Sequence, residues 1–262
     1  MTLLAWILSF SLLGGVLSVL GASAFLTLSD ARRGKILPHV ISFATGSLLG
    51  AAFLALLPEA LANPTEAKVQ AVTLTVLLGL LLFFLLEKMV IWRHCHFDEC
   101  EGHTPHDHNL PDESAAAGTL ILVGDSIHNF VDGVLIAAAF LSDIKLGIVT
   151  SLAVAAHEIP QEVGDFAILL HSGFTRRKAL VYNLLSGMTA VLGALLAWLS
   201  LSHMTGVLPY ILAVAAASFT YVAVADLIPG MHEQTGLRDT TYQAILIGLG
   251  VLWVYSLHHY LH

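Results

Sequence analysis

The 262-residue chain is 56% hydrophobic and 11% charged, with a mean hydropathy of +0.80, which is about half the charge fraction of a soluble domain. Eleven Lys and Arg against nineteen Asp and Glu give a formal net charge of −8, so there is no basic footprint for nucleic acid. Composition excludes a soluble globular domain and predicts an all-α integral membrane protein.

Eight apolar runs follow one another along the chain. Leu3 to Leu28 is too long for the core of a signal peptide, and no charged leader precedes it, so it reads as an uncleaved first helix. Asp30 to Lys35 reads as a basic turn carrying Arg32 and Arg33. The second helix runs from about Ile36 to Pro58 and ends Leu-Leu-Pro-Glu at Glu59, and Asn63 to Lys68 leads to a third over Val69 to Trp92.

Residues 93–117 form the one long polar segment. His94, Cys95, His96, Cys100, His103, His106 and His108 alternate with Asp98, Glu99, Glu101 and Asp107. Such a composition fits a flexible metal-binding tract or a plain soluble linker, and its spacing is too irregular for a zinc finger. If the loop faces the cytoplasm, Cys95 and Cys100 are expected to be reduced and open to metal rather than disulfide-bonded.

Gly118 to Leu141 is the fourth helix, Ser142-Asp143 a tight turn, and Leu146 to Leu170 the fifth. Gly173 to Lys178 is a second basic turn. Three further helices span Ala179 to Leu201, Val207 to Ile228 and Tyr242 to Leu261. With both termini outside, Arg32, Arg33, Lys35, Lys88, Arg93, Arg176, Arg177, Lys178 and Arg238 fall on the cytoplasmic side, and only Lys68 and Lys145 do not. The seventh helix ends Leu-Ile-Pro-Gly, echoing the end of the second; with helices four and five central, the order suggests a 3+2+3 inverted repeat. His39, His171, His203, His232, His258, His259 and His262 lie near helix ends and read as interfacial residues.

Two polar clusters sit inside helices four and five: Gly124 to Gly133, reading GDSIHNFVDG, and His157 to Asp165, reading HEIPQEVGD. A carboxylate at the centre of a membrane helix costs roughly 2.5–3.5 kcal/mol, so ionisable residues at that depth mark an ion site or pathway. His128 and Asp132 are four apart and share a helix face, as do His157 with Gln161 and Glu158 with Glu162. Imidazole and carboxylate together suit borderline divalent ions such as zinc, iron or manganese. Pro160 removes one helical hydrogen bond and frees the carbonyl of Ala156, a kind of break tolerated where a membrane helix lines a cavity. The motif centres, near Phe130 and Glu158, meet at one depth if the two helices run antiparallel.

The pair His-Asn-Phe-Val-Asp-Gly (His128 to Gly133) and His-Glu-Ile-Pro-Gln-Glu-Val-Gly-Asp (His157 to Asp165) resembles the double signature of the ZIP (Zrt/Irt-like) metal-ion transporters. The resemblance is to the subgroup with the longer His-Glu-x-Pro-His-Glu-x-Gly-Asp form. It implies a single transporter domain over residues 1–262 with eight transmembrane helices. The protein would not be an enzyme, and would move a divalent ion into the cytoplasm: zinc first, with iron, manganese or cadmium as alternatives. It also implies a plasma (inner) membrane location, contact with the lipid bilayer, both termini outside, and room for a homodimer.

Three departures stand out. Gln161 replaces the His usual in the subgroup, Ala51 and Ala55 replace a Gly-Asp-x-x-x-His pattern on helix two, and Ala190 stands where members with two metal sites carry Glu. The expected principal ligands are therefore His128, Asp132 and His157, completed by Gln161 or water. Asn129 and Glu158 are expected at a second or transit site, with Asp125, Glu162 and Asp165 in supporting roles. Two other readings stay open, an intramembrane zinc-dependent hydrolase and a metal sensor without transport. The first has His157-Glu158 but Gln161 where a second His is needed.

Overall fold

A computed structural model describes residues 1–62, 64–97, 111–232 and 236–261. Among the described residues the long elements are all helices: α1 (Leu3–Phe25), α2 (Ala31–Ala60), α3 (Glu66–Phe97), α4 (Pro111–Ser142), α5 (Ile144–His171), α6 (Arg176–Leu201), α7 (Thr205–Met231) and α8 (Leu237–Leu261). Seven of them are long and apolar enough to cross a membrane. The helix outside that set is α5, whose polar motif lowers its hydropathy; its 28 residues still reach about 42 Å at 1.5 Å per residue.

The helices outrun their apolar stretches. Asp30 to Lys35 is not a turn: it opens α2, and Thr27, Leu28 and Ser29 make the connection instead. Likewise α3 runs on to Phe97, α4 begins at Pro111 and α8 begins at Leu237. Helical hydrogen bonding persists beyond the hydrocarbon depth, so apolar runs mark the membrane and not the helix end. Residues 98–110 of the His- and Cys-rich stretch lie outside the described residues, as do the side chains of its flanks.

The turns follow their sequence signals only in part, since Arg176, Arg177 and Lys178 already belong to α6 and, of the turn expected over Gly173 to Lys178, only Gly173 to Thr175 lie between α5 and α6. Asp143 caps α5, accepting from the backbone N–H groups of Lys145 at 2.8 Å and Leu146 at 3.1 Å. Gly173 ends the same helix at φ +83°, where Phe174 N–H reaches the Leu169 carbonyl and Gly173 N–H reaches that of Leu170. That is a Schellman cap, and a Cβ would strain it.

Packing depends on small residues. Gly133 and Gly193 let α4 and α6 touch backbone to backbone, at Ala190 and Phe130; Gly15 meets Gly187 between α1 and α6; Gly46 and Gly250 do the same for α2 and α8, at Ile247 and Phe43. This is how helices associate where lipid removes the hydrophobic drive between them. The buried core is rich in alanine, including Ala51, Ala52, Ala55, Ala137, Ala153 and Ala213. The outer face of α3 exposes Leu74, Leu77, Leu81 and Leu85, the surface that lipid solvates.

Two further features shape the interior. Helices α2 and α7 each contain a π-helical turn, Ala51–Leu56 and Val222–Leu227, followed at once by an apolar residue and proline, Leu57-Pro58 and Ile228-Pro229. Proline cannot donate to the preceding turn, and the widened π turn takes up the mismatch. A third π turn, Leu13–Leu17, contains the Gly15 contact of α1.

Candidate metal centre

Helices α4 and α5 bring four side chains to one point near mid-helix. His128 and Asp132, one turn apart on α4, face His157 and Glu158, the adjacent pair on α5. His128 Nε2 lies 3.3 Å from Glu158 Oε1, 3.4 Å from His157 Nε2 and 3.8 Å from Asp132 Oδ2. His157 Nε2 lies 3.4 Å from Asp132 Oδ2 and 3.5 Å from Glu158 Oε1. An ion held tetrahedrally at about 2.0–2.2 Å needs ligand atoms about 3.3–3.6 Å apart. Four of these five separations lie in that range and the fifth is slightly longer.

The surroundings favour a cation. Asp132, His157 and Glu158 are 1%, 1% and 0% exposed. Asp132 Oδ2 and both carboxylate oxygens of Glu158 are buried without a hydrogen-bond partner among the described residues, an arrangement that is costly for a carboxylate unless a positive charge satisfies it. His157 Nδ1 sits 3.3 Å from the Ala153 carbonyl. Donating there leaves the Nε2 lone pair toward the cluster.

The other candidates fall around this centre. Asn129 is buried, and its amide donates to Asp125 Oδ1 at 2.9 Å and to the Asp125 carbonyl at 3.3 Å. Glu162 is buried, with both oxygens unpartnered among the described residues. Gln161 lines a cavity of about 420 Å³ together with His128, Asp125, Asp165, Glu87 and Asp226. Glu158 thus joins His128, Asp132 and His157 directly, while Gln161 lies on the cavity beside them.

That cavity has a direction. Its walls come from the N-terminal halves of α2 and α4 and the C-terminal halves of α3, α5 and α7, toward the end of the bundle that carries Arg32, Lys88, Arg177 and Arg238. His128, the one partly exposed ligand of the four, forms the boundary between cluster and cavity. Four carboxylates, Glu87, Asp125, Asp165 and Asp226, line the cavity, and the Tyr221 hydroxyl donates to Glu87. At the opposite end Ser142 Oγ donates to Glu59 Oε1 at 2.8 Å and ties the end of α4 to the end of α2. Sequence reasoning passed over Glu87, although a lone acid inside an apolar helix was a readable signal.

Comparison with known proteins agrees with this chemistry. A family profile described as ZIP zinc transporter matches residues 92–258. Human zinc transporter ZIP10 is 38% identical over 172 residues, covering 63% of this chain and 21% of that protein. Zinc transporter ZIP13 of Pongo abelii is 34% identical over 228 residues, 82% of this chain and 65% of that protein. ZIP13 of Danio rerio is 32% identical over 269 residues, 84% and 76%. The chain thus spans about a fifth of human ZIP10 and about three quarters of the Danio rerio ZIP13. These relatives and the run of apolar helices make it a multi-pass membrane protein.

Proposed function

The chain belongs to the ZIP zinc transporter family, and we propose on that premise that it carries divalent metal ions across the membrane through the cluster of His128, Asp132, His157 and Glu158. Zinc is the first substrate; iron, manganese and cadmium share enough coordination chemistry to compete. The observation that carries this reading is the spacing of the four ligand atoms, all within 4.8 Å of one another and inward of a wide acidic cavity.

The mechanism follows from desolvation. Two imidazoles and two carboxylates replace the hydration shell of the ion and offset its charge in a dry interior. Release proceeds past His128 into the cavity, where Asp125, Asp165, Glu87 and Asp226 offer successive weak oxygen contacts that attract the ion without trapping it. Gln161 at the cavity wall is a neutral amide, which favours release over tight retention. Glu158 also borders a transit position shared with Asn129, which Asp125 holds, and buried Glu162 supports it from one turn further along α5.

The topology belongs to the same proposal. All eight helices span the membrane in a 3+2+3 inverted repeat, supported by the matching π turns and prolines of α2 and α7. Both termini lie outside a plasma (inner) membrane, the basic end faces the cytoplasm, and flux runs inward. The surface allows a homodimer. Hydrolase chemistry is set aside, since the family consists of transporters. Zinc uptake into proteoliposomes tests the reading: His128→Ala and His157→Ala should each abolish it at equal reconstitution, and normal uptake by both variants would refute it.

A further inference from the structure

Helices α2 and α8 begin side by side at the basic end and flank an open cavity of about 610 Å³, none of whose lining residues belongs to the metal centre. Its walls carry Lys35, His39, Arg238, Asp239 and Tyr242. A smaller pocket continues inward from Pro38, His39 and Tyr242 to Ser42 and Gln243. We propose that this cavity binds the phosphate-bearing headgroup of an anionic phospholipid.

Depth comes first. The apolar runs of the two helices start at about Ile36 and Tyr242, just after Lys35 and Arg238, so the cavity lies where hydrocarbon gives way to headgroups. Basic pockets between helices at that level suit anionic headgroups. Charge comes next: Lys35 and Arg238 outweigh Asp239. Both helices also present their N-terminal ends here, adding partial positive charge from their first turns.

The cationic groups are held in place. The Arg238 guanidinium lies 5.5 Å from the centre of the Tyr242 ring, and the His39 ring is 6.1 Å from the same ring. The ring contact restrains the guanidinium beside the cavity, and tyrosine is at home at the membrane interface. The cavity volume suits a phosphorylated headgroup.

A lipid fits better than a soluble anion because of what lies next along α8. Ile245 and Leu249 are exposed, three and seven residues beyond Tyr242 and so on its face of the helix. A headgroup beside Tyr242 lays its acyl chains along these two side chains. The same lipid bridges the start of α2 to the start of α8, a pair already packed through Gly46 and Gly250.

The test uses the full chain in detergent and native mass spectrometry with added phosphatidylglycerol or phosphatidylcholine. The wild type should retain phosphatidylglycerol at least 10-fold better. The double variant Lys35→Gln/Arg238→Gln should lose roughly 30-fold in affinity, about 2 kcal/mol at about 1 kcal/mol per basic residue. Arg177→Gln/Lys178→Gln, equally basic and at the same end, should bind as the wild type does. All substituted residues are exposed, and matching circular dichroism confirms that the variants fold. Undiminished binding by the first pair, or an equal loss in the second, would overturn the site. Displacement of phosphatidylglycerol by millimolar inorganic phosphate would overturn the lipid assignment.

Discussion

Replacing Asp132 by Asn keeps the shape of the side chain and removes its charge. Asp132 is 1% exposed, and its Oδ2 lies 3.4 Å from His157 Nε2 with no hydrogen-bond partner among the described residues. The fold therefore loses little, and a change in transport reports on the ion. Four-ligand zinc sites bind with about 10–16 kcal/mol in all, or about 2.5–4 kcal/mol per ligand. An amide oxygen retains part of that, so the expected loss is about 2–3 kcal/mol, roughly 100-fold in affinity. The assay is initial-rate zinc uptake into proteoliposomes over a concentration series, normalised to reconstituted protein. Half-saturation should rise roughly 100-fold, or flux should collapse at every accessible concentration. Unchanged half-saturation together with unchanged maximal flux would show that Asp132 never touches the ion.

Other expectations follow from the same geometry. Gln161→His places an imidazole one turn after His157, so half-saturation for zinc should fall, selectivity over manganese and iron should rise, and maximal flux should drop as release slows; competition uptake that leaves zinc unmoved would place Gln161 away from the ion path. Deleting Cys95 to His108 should leave transport largely intact while altering its response to metal load, and complete loss of uptake in a well-folded deletion would refute that. Gly133→Val drives a side chain into the Ala190 backbone and should destabilise the protein by about 1–3 kcal/mol, read as a lower unfolding temperature in detergent; an unchanged temperature would mean that α4 and α6 are not in close contact there.

Much of the fold was legible because membrane helices must satisfy their own backbone and so appear as apolar runs. The caps at Asp143 and Gly173 were equally readable, each carrying a local signal. The helix ends were not: nothing in the alternation of polar residues around Arg32 or Arg238 distinguishes a helical first turn from a loop. The π turns were hidden as well, although Pro58 and Pro229 marked their places.

The metal centre was legible as two helix faces, and His128, Asp132 and His157 do converge. Glu158 was assigned elsewhere because adjacent helical residues point about 100° apart. The structure brings His157 Nε2 and Glu158 Oε1 to 3.5 Å from each other, with His128 and Asp132 of α4 against them. That arrangement is a property of how α4 packs on α5, which spacing within one helix cannot report. The acidic cavity needed the tertiary structure too, since Glu87, Asp125, Asp165 and Asp226 come from four helices.

The most direct test of the account is a zinc-soaked structure with anomalous diffraction recorded at the zinc absorption edge. The account predicts a peak enclosed by His128 Nε2, Asp132 Oδ2, His157 Nε2 and Glu158 Oε1, at about 2.0–2.2 Å from each. An anomalous peak bound elsewhere in the membrane interior, with those four side chains left uncoordinated, would contradict it.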